Sequence, residues 1–270
     1  MKLRFLGVGA FFTLKSFHTN ILIEENEKRF LIDAGSDIKW SLKEAKLGAK
    51  DIDALYISHL HADHAGGVEY LGFGSYFDQN RKEKIQLFGN NELLRKGWNQ
   101  TWSGGLESIE GKLMGLDDYF DVNMVKPNGK FYWEGMEFAI VQVVHVVHKY
   151  AIVPAYGLMV TLKNGKKIFF SCDSQHCPSQ LTCFYKEADV VFHDCETMAF
   201  KSGVHANYAD LVNLPKEVKE KMYLLHYQDN IYTNDNLLTP EWIDKALHDN
   251  FRGFVLTGQE LTEEQLFIEL

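Results

Sequence analysis

Residues 55–67 read LYISHLHADHAGG, and the rest of the chain is best interpreted from this stretch outward. The apolar run Ala54–Leu55–Tyr56–Ile57 reads as a strand that ends at Ser58. Such a strand would deliver His59, His61, Asp63 and His64 to its mouth, where a tight turn can converge them. Gly66–Gly67 then lets the chain pack closely as it enters a helix. Three imidazoles and a carboxylate within six residues have no good apolar explanation, because each would need its own buried partner. The competing reading is a solvated polar loop.

Bulk properties bound what such a motif can serve. A chain of 270 residues can bury a large core, and its 46% hydrophobic and 24% charged content is that of a soluble globular protein. Five prolines and no polar low-complexity tract leave no obvious linker, so one domain over 1–270 is expected. No apolar run approaches the ~20 residues of a membrane span, so no membrane partner is expected. The opening MKLRFLGVGAFFTLKSF alternates like a first strand and lacks a small-residue cleavage site. A net charge of −9 argues against broad nucleic-acid binding, which needs a basic surface. It leaves room for a small anionic substrate, since metal held by the His/Asp motif would supply positive charge locally. Cys172, Cys177, Cys183 and Cys195 form no C-x-x-C pair and read as free thiols in a reducing cytoplasm.

Further polar residues recur where apolar runs stop. Leu3–Leu6 opens as a strand; 20–24 and 30–33 form a hairpin around Asn26 that ends in Asp33, while His18 sits at a similar strand edge. Residues 39–47 carry a loosely helical pattern closed by Gly48. Strand, helix, strand, metal loop, helix is the rhythm of a layered α/β architecture. The region 70–135 is the least transparent; its Trp98, Trp102, Phe131, Tyr132 and Trp133 suit core packing, an oligomer interface or a pocket wall. Phe138–Val144 is a strand that His145 terminates, with His148 three residues later. Residues 156–162 and 167–170 make a hairpin around Asn164–Gly165 and lead to Asp173. The strand 188–196 runs into Asp194 and Glu196, followed by His205, and Met222–Leu225 ends in His226. Pro240 opens a helix and Phe254–Leu256 returns as a closing strand.

The pattern H-x-H-x-D-H, with these later strand-end residues, resembles the signature of the metallo-β-lactamase fold superfamily over about residues 3–258. That resemblance implies an α+β fold: an αββα sandwich of two mixed sheets flanked by helices. It implies a first metal site from His59, His61 and either His145 or His148, and a second from Asp63, His64 and His226. Asp173 would bridge the two ions, and Asp33 would orient a ligand histidine from beneath. An aspartate at 173 speaks against the antibiotic-hydrolysing branch, which usually places a thiol there, and Cys172 would point to the other side of the strand. Glu196 and His205 resemble the proton-transfer pair of the phosphodiesterase and tRNA 3′-end nuclease branch, with Asp194 as the other candidate for the acidic role. The long basic tRNA arm of those nucleases is missing. Nitrogen and oxygen ligation suits zinc, iron or manganese.

Two functions follow. The first is a hydrolase, phosphodiesterase-like, in which a metal-bridging hydroxide attacks a small-molecule substrate, with Asp63, Glu196 and His205 as catalytic residues. The alternative is a di-iron protein that binds or senses dioxygen and signals to a partner. The flavodiiron family uses this scaffold, usually with glutamate at the place of His61 and an appended flavin domain; this chain has neither. The aromatic-rich middle adds an expectation of a homodimer.

Overall fold

The computed structural model describes residues 1–268. Its strands, in chain order, are β1 (Lys2–Gly7), β2 (Asn20–Glu25), β3 (Lys28–Ile32), β4 (Ala54–Ile57), β5 (Ile85–Asn90), β6 (Ser108–Ile109), β7 (Lys112–Leu113), β8 (Phe120–Val125) and β9 (Lys130–Trp133). There follow β10 (Met136–Gln142), β11 (Val147–His148), β12 (Ala151–Ile152), β13 (Tyr156–Thr161), β14 (Lys167–Phe170), β15 (Val190–Asp194), β16 (Met222–Leu225), β17 (Gly253–Phe254) and β18 (Glu260–Thr262). Two seven-stranded sheets result, in the orders β18-β1-β2-β3-β4-β5-β8 and β17-β16-β15-β14-β13-β10-β9. Both are mixed, as expected: β3, β4, β5 and β8 run parallel in the first, and β14 to β17 run parallel in the second.

The strand alternation explains the layers. On β2 and β3, Ile21, Ile23, Phe30 and Ile32 face the core between the sheets, while Leu22 and Leu31 belong to a second core under the helices. Ala54 and Tyr56 against Leu55 and Ile57 repeat the split on β4. A strand buried on both faces is apolar at every position, which is why these runs showed no polar alternation. Phe30, Phe88, Phe131 and Phe138 stack between the sheets with ring centroids 4.3–6.0 Å apart.

The aromatic-rich middle belongs mostly to this packing. Trp102 is buried and its indole N–H donates to the Ala65 carbonyl at 3.1 Å, and Phe131 and Trp133 lie in the inter-sheet core. None of the three walls a substrate pocket at the centre described below. The helix expected over 39–47 spans Ile38–Glu44, and the closing strand expected at 254–256 shortens to Gly253–Phe254. The strand expected to run to Val144 stops at Gln142, so His145 lies on the following loop.

Chain direction places the chemistry. β1, β3 and β4 of one sheet and β10, β14, β15 and β16 of the other all end at one edge of the sandwich. Backbone bonds lock the two sheets there: His226 N–H donates to Val8 O (2.8 Å) and Tyr156 N–H to Ser58 O (3.1 Å). Gly67 shows the close approach expected of it, since a Cβ there would lie 2.3 Å from Ile38 Cγ2. Among the described residues no helix is long and apolar enough to cross a membrane.

Candidate metal centre

Seven of the expected ligands converge at that edge. His59, His61, His145 and Asp173 form one group of donors, and Asp63, His64, Asp173 and His226 a second. In the first, His59 Nε2 and His145 Nε2 lie 3.0 and 3.1 Å from His61 Nδ1, and 3.6 and 3.7 Å from Asp173 Oδ2. In the second, His64 Nε2 is 3.2 Å from Asp63 Oδ2, 3.1 Å from Asp173 Oδ1 and 3.4 Å from His226 Nε2. His226 Nε2 is in turn 3.3 Å from Asp63 Oδ2 and 3.4 Å from Asp173 Oδ1. A tetrahedron with metal–ligand bonds of about 2.0–2.1 Å has edges of about 3.3–3.4 Å. The donors therefore stand close to the corners of two tetrahedra that share Asp173, one oxygen facing each.

The hydrogen-bond pattern also favours cations. His145 Nδ1–H donates to the Val204 carbonyl at 2.7 Å, and His59 Nδ1–H to Ser58 Oγ at 3.1 Å, which leaves both Nε2 lone pairs aimed at the same space. Buried Asp63 Oδ1 and both oxygens of Asp173 have no hydrogen-bond partner. Unpaired buried carboxylate oxygens cost several kcal/mol unless a cation compensates them, so the donor set fits two divalent ions.

The shifts in proton affinity carry the same message. Burial, reinforced by the neighbouring imidazoles, holds His59 well below the usual histidine range, and burial lowers His61 and His145. All three are thus neutral, the form that binds metal. Burial opposes charge on His64 and His226 as well. There Asp173, helped by Asp63 and by Asp33 or Asp194, outweighs it, raising His64 well above its usual range and His226 to about 10. Asp63 and Asp173 are held far below the ordinary carboxylate range by those imidazoles in spite of burial. A site that draws protons onto two buried histidines has a surplus of negative charge, which bound cations would neutralise.

Backbone geometry aims several of these groups. Asp33, Cys172 and His226 each follow a strand and adopt positive φ (62°, 48° and 61°). Non-glycine residues held there cost of order 1–3 kcal/mol each and cluster at functional sites. Beneath the cluster Asp33 accepts Ser58 N–H (2.8 Å), Ser58 Oγ–H (2.7 Å) and His64 Nδ1–H (2.8 Å), fixing His64 to present Nε2. Ser58 is the residue that sequence reasoning missed. It links Asp33 to His59, and its place immediately before the histidine motif was the available signal.

Two expectations need correction. His148 is exposed on β11, the outer arm of a two-residue hairpin, and takes no part in either donor group; His145 is the histidine the fold brings in. Glu196 is not the partner of His205. Its carboxylate accepts Ser202 N–H (3.0 and 3.1 Å) and the Asn207 amide (3.2 Å). Asp194, the other acidic candidate, holds His205 Nδ1 at 2.7 Å and faces His226 Nδ1 at 3.5 Å. The strand ends at Asp194, so only that carboxylate enters the cluster before the chain turns away. Burial opposes charge on His205, but Asp194 outweighs it and raises its proton affinity. His18 is tied to Asp37 (3.3 Å) and stays outside the centre. Cys172 packs beneath Asp173 and belongs to neither donor group.

His61 is exposed and His205 half-buried, so the centre opens to solvent between them. With divalent ions held by the two donor groups, the site would hold an anionic ester, and the His205–Asp194 pair at its rim can supply a proton to a leaving group.

Comparison with known proteins agrees with this geometry. A family model described as "Anti-Pycsar protein Apyc1" matches residues 1–259. The chain is 32% identical over 234 residues to the anti-Pycsar protein Apyc1 of Paenibacillus harenae, covering 86% of this chain and 91% of that one. Among solved structures it is similar to the metallo-β-lactamase fold protein YhfI from Bacillus subtilis (TM-score 0.73, 17% identity, 97% and 99% of the two chains). It is similar to the same degree to a diphosphatase of the PhnP family (TM-score 0.73, 17% identity, 97% of each chain). The fold is the metallo-β-lactamase fold. The di-iron, oxygen-binding alternative finds no support in these similarities.

Proposed function

The chain belongs to the anti-Pycsar protein Apyc1 family, and from that premise we propose that it is a metal-dependent hydrolase that opens the phosphodiester ring of a cyclic nucleotide. The observation that carries the reading is the Asp173 carboxylate, with one oxygen toward each group of histidine donors, beside the His205–Asp194 pair. Divalent ions bound there would supply Lewis acidity to a phosphoryl oxygen and lower the pKa of a coordinated water.

The chain's own residues do the rest. His59, His61 and His145 on one side and Asp63, His64 and His226 on the other fix where a phosphate can sit, on the face open to solvent. Asp194 engages His205 Nδ1, which leaves Nε2 to act on the substrate and raises the proton affinity of the ring. A water oxygen bonds to phosphorus as the water gives up one proton to solvent, one ester P–O bond breaks, and the leaving oxygen takes its proton from His205, which regains one from solvent; a nucleoside monophosphate results. Asp33 and the Val204 carbonyl hold His64 and His145 in the required tautomers throughout.

The test is incubation of the metal-loaded protein with a 3′,5′-cyclic nucleotide, with separation of the nucleoside monophosphate by chromatography. Product that disappears on chelation and in Asp173→Ala is expected. Cleavage of bis(p-nitrophenyl) phosphate with the cyclic nucleotide left intact would keep the hydrolase and reject the substrate. Cleavage of neither would reject both.

A further inference from the structure

Beside the metal centre lies a cavity of about 280 Å³, walled by Phe11, Phe12, Met198 and Val204, with Gln228, Glu196 and Asp229 at its polar side and His205 shared with the centre. Resting on the cyclic-nucleotide reading above, we infer that this cavity is the base subsite, and that Phe11 and Phe12 are its stacking platform.

The two rings are displayed by a turn that the fold holds rigidly. Thr13 N–H donates to Ala10 O at 3.0 Å, which closes a four-residue turn with Phe11 and Phe12 at its centre. Asp229 then pins the turn, accepting Thr13 Oγ–H at 2.6 Å and Leu14 N–H at 2.7 Å, and Ala10 N–H donates to Tyr227 O at 3.1 Å. On this fixed support Phe12 is 86% exposed and Phe11 46%. The rings meet edge to face, with centroids 4.8 Å apart. Two adjacent aromatic rings held out to solvent by a pinned turn bury little apolar surface for the fold; such a patch marks a binding surface.

The location selects the ligand. His205 borders the donor groups on one side, its Nδ1 3.9 Å from Asp173 Oδ2, and lines the cavity on the other, so a group attached to a phosphate held at the centre can reach into the cavity. The walls are mainly apolar and aromatic, which suits a flat heterocycle. Gln228 supplies the polar contact: its amide oxygen is already engaged by Thr197 N–H (2.7 Å) and Oγ–H (3.1 Å), so it offers the NH₂ as a donor to a ring nitrogen or carbonyl. Stacking with one donor accepts every base, so the subsite recognises a base without choosing sharply among them.

The experiment compares the metal-loaded protein with Phe12→Ala and Phe11→Ala, using 3′,5′-cyclic AMP as substrate and 5′-AMP and inorganic phosphate as binding probes. Metal content and oligomeric mass are measured on the same samples. The expected result is a KM for cyclic AMP raised roughly 5- to 150-fold in Phe12→Ala, the ratio that stacking one base on an aromatic ring represents. Binding of 5′-AMP should weaken in parallel, while kcat, metal content and inorganic phosphate binding stay within about twofold. Unchanged KM and unchanged 5′-AMP binding in both variants overturn the inference. A changed oligomeric mass with unchanged KM also overturns it and assigns the rings to self-association. Should the unaltered protein fail to cleave cyclic AMP yet bind 5′-AMP in a Phe12-dependent manner, the subsite stands and the proposed reaction falls.

Discussion

Replacing Asp33 by Asn probes the support of the metal centre without touching a ligand. Asp33 accepts three hydrogen bonds, two from Ser58 and one from His64 Nδ1. Asparagine keeps the side-chain shape and tolerates the left-handed backbone at this position, where φ is 62°. Its single oxygen can retain the Ser58 amide, but an NH₂ then replaces the oxygen that fixed His64, and two donors face each other. Loss of such a supporting contact costs 10- to 100-fold in metal affinity, or about 1.4–2.7 kcal/mol. At a fixed saturating metal concentration the same amount is lost from the metal-linked stability, and at about 2 °C per kcal/mol the melting temperature should drop by roughly 3–5 °C. The assay is a zinc titration against a chromophoric chelator, paired with thermal melts with and without metal. Full zinc affinity in Asp33→Asn would refute the positioning argument. A lowered melting temperature in the metal-free protein equal to that in the loaded protein would reassign Asp33 to the fold alone.

Further expectations follow from the same geometry. Asp173→Ala should reduce metal content from two ions per chain to one or none and cut hydrolysis at least 100-fold; elemental analysis that still finds two ions rejects the bridge. His145→Ala should lose metal while His148→Ala keeps it, because only His145 joins the donor group. Asp194→Asn should lower kcat by about 10²-fold or more, the range of one acid–base contribution. Glu196→Gln should change it only a few-fold, and the reverse order would restore Glu196 as the partner of His205. In the metal-free protein His64 and His226 bind protons more tightly than in the unfolded chain, His226 up to about 10. The stability they contribute is fully present below about pH 6.5 and is lost as pH rises through about 10. Denaturant melts of chelated protein should show that decline, and His226→Ala should flatten it.

Much of the centre was legible from the chain alone because strand ends carry it. Apolar runs that stop at His59, Asp173 and His226 point to their own ligands, since a buried imidazole or carboxylate at a strand end needs a partner there. The layered fold was legible for the related reason that continuous apolar runs demand cover on both faces. Where two candidates lay two or three residues apart, sequence had no ruler. His145 and His148 differ only in that a short hairpin carries the second into solvent. Asp194 and Glu196 differ in that the strand ends between them, and a hydrogen-bonded turn consumes the latter.

The sequence by itself determined the donor types and their division among strand ends, because charge and hydrogen-bonding capacity are properties of residues, while the pairing of two metal sites rested on the family resemblance. Tertiary structure alone decided which oxygen of Asp173 faces which group, that Ser58 couples Asp33 to His59, and that a turn near the N-terminus presents two phenylalanines beside His205. Those facts depend on how two sheets meet edge to edge, and residues more than 180 positions apart, such as Phe12 and His205, become neighbours only when the sandwich closes.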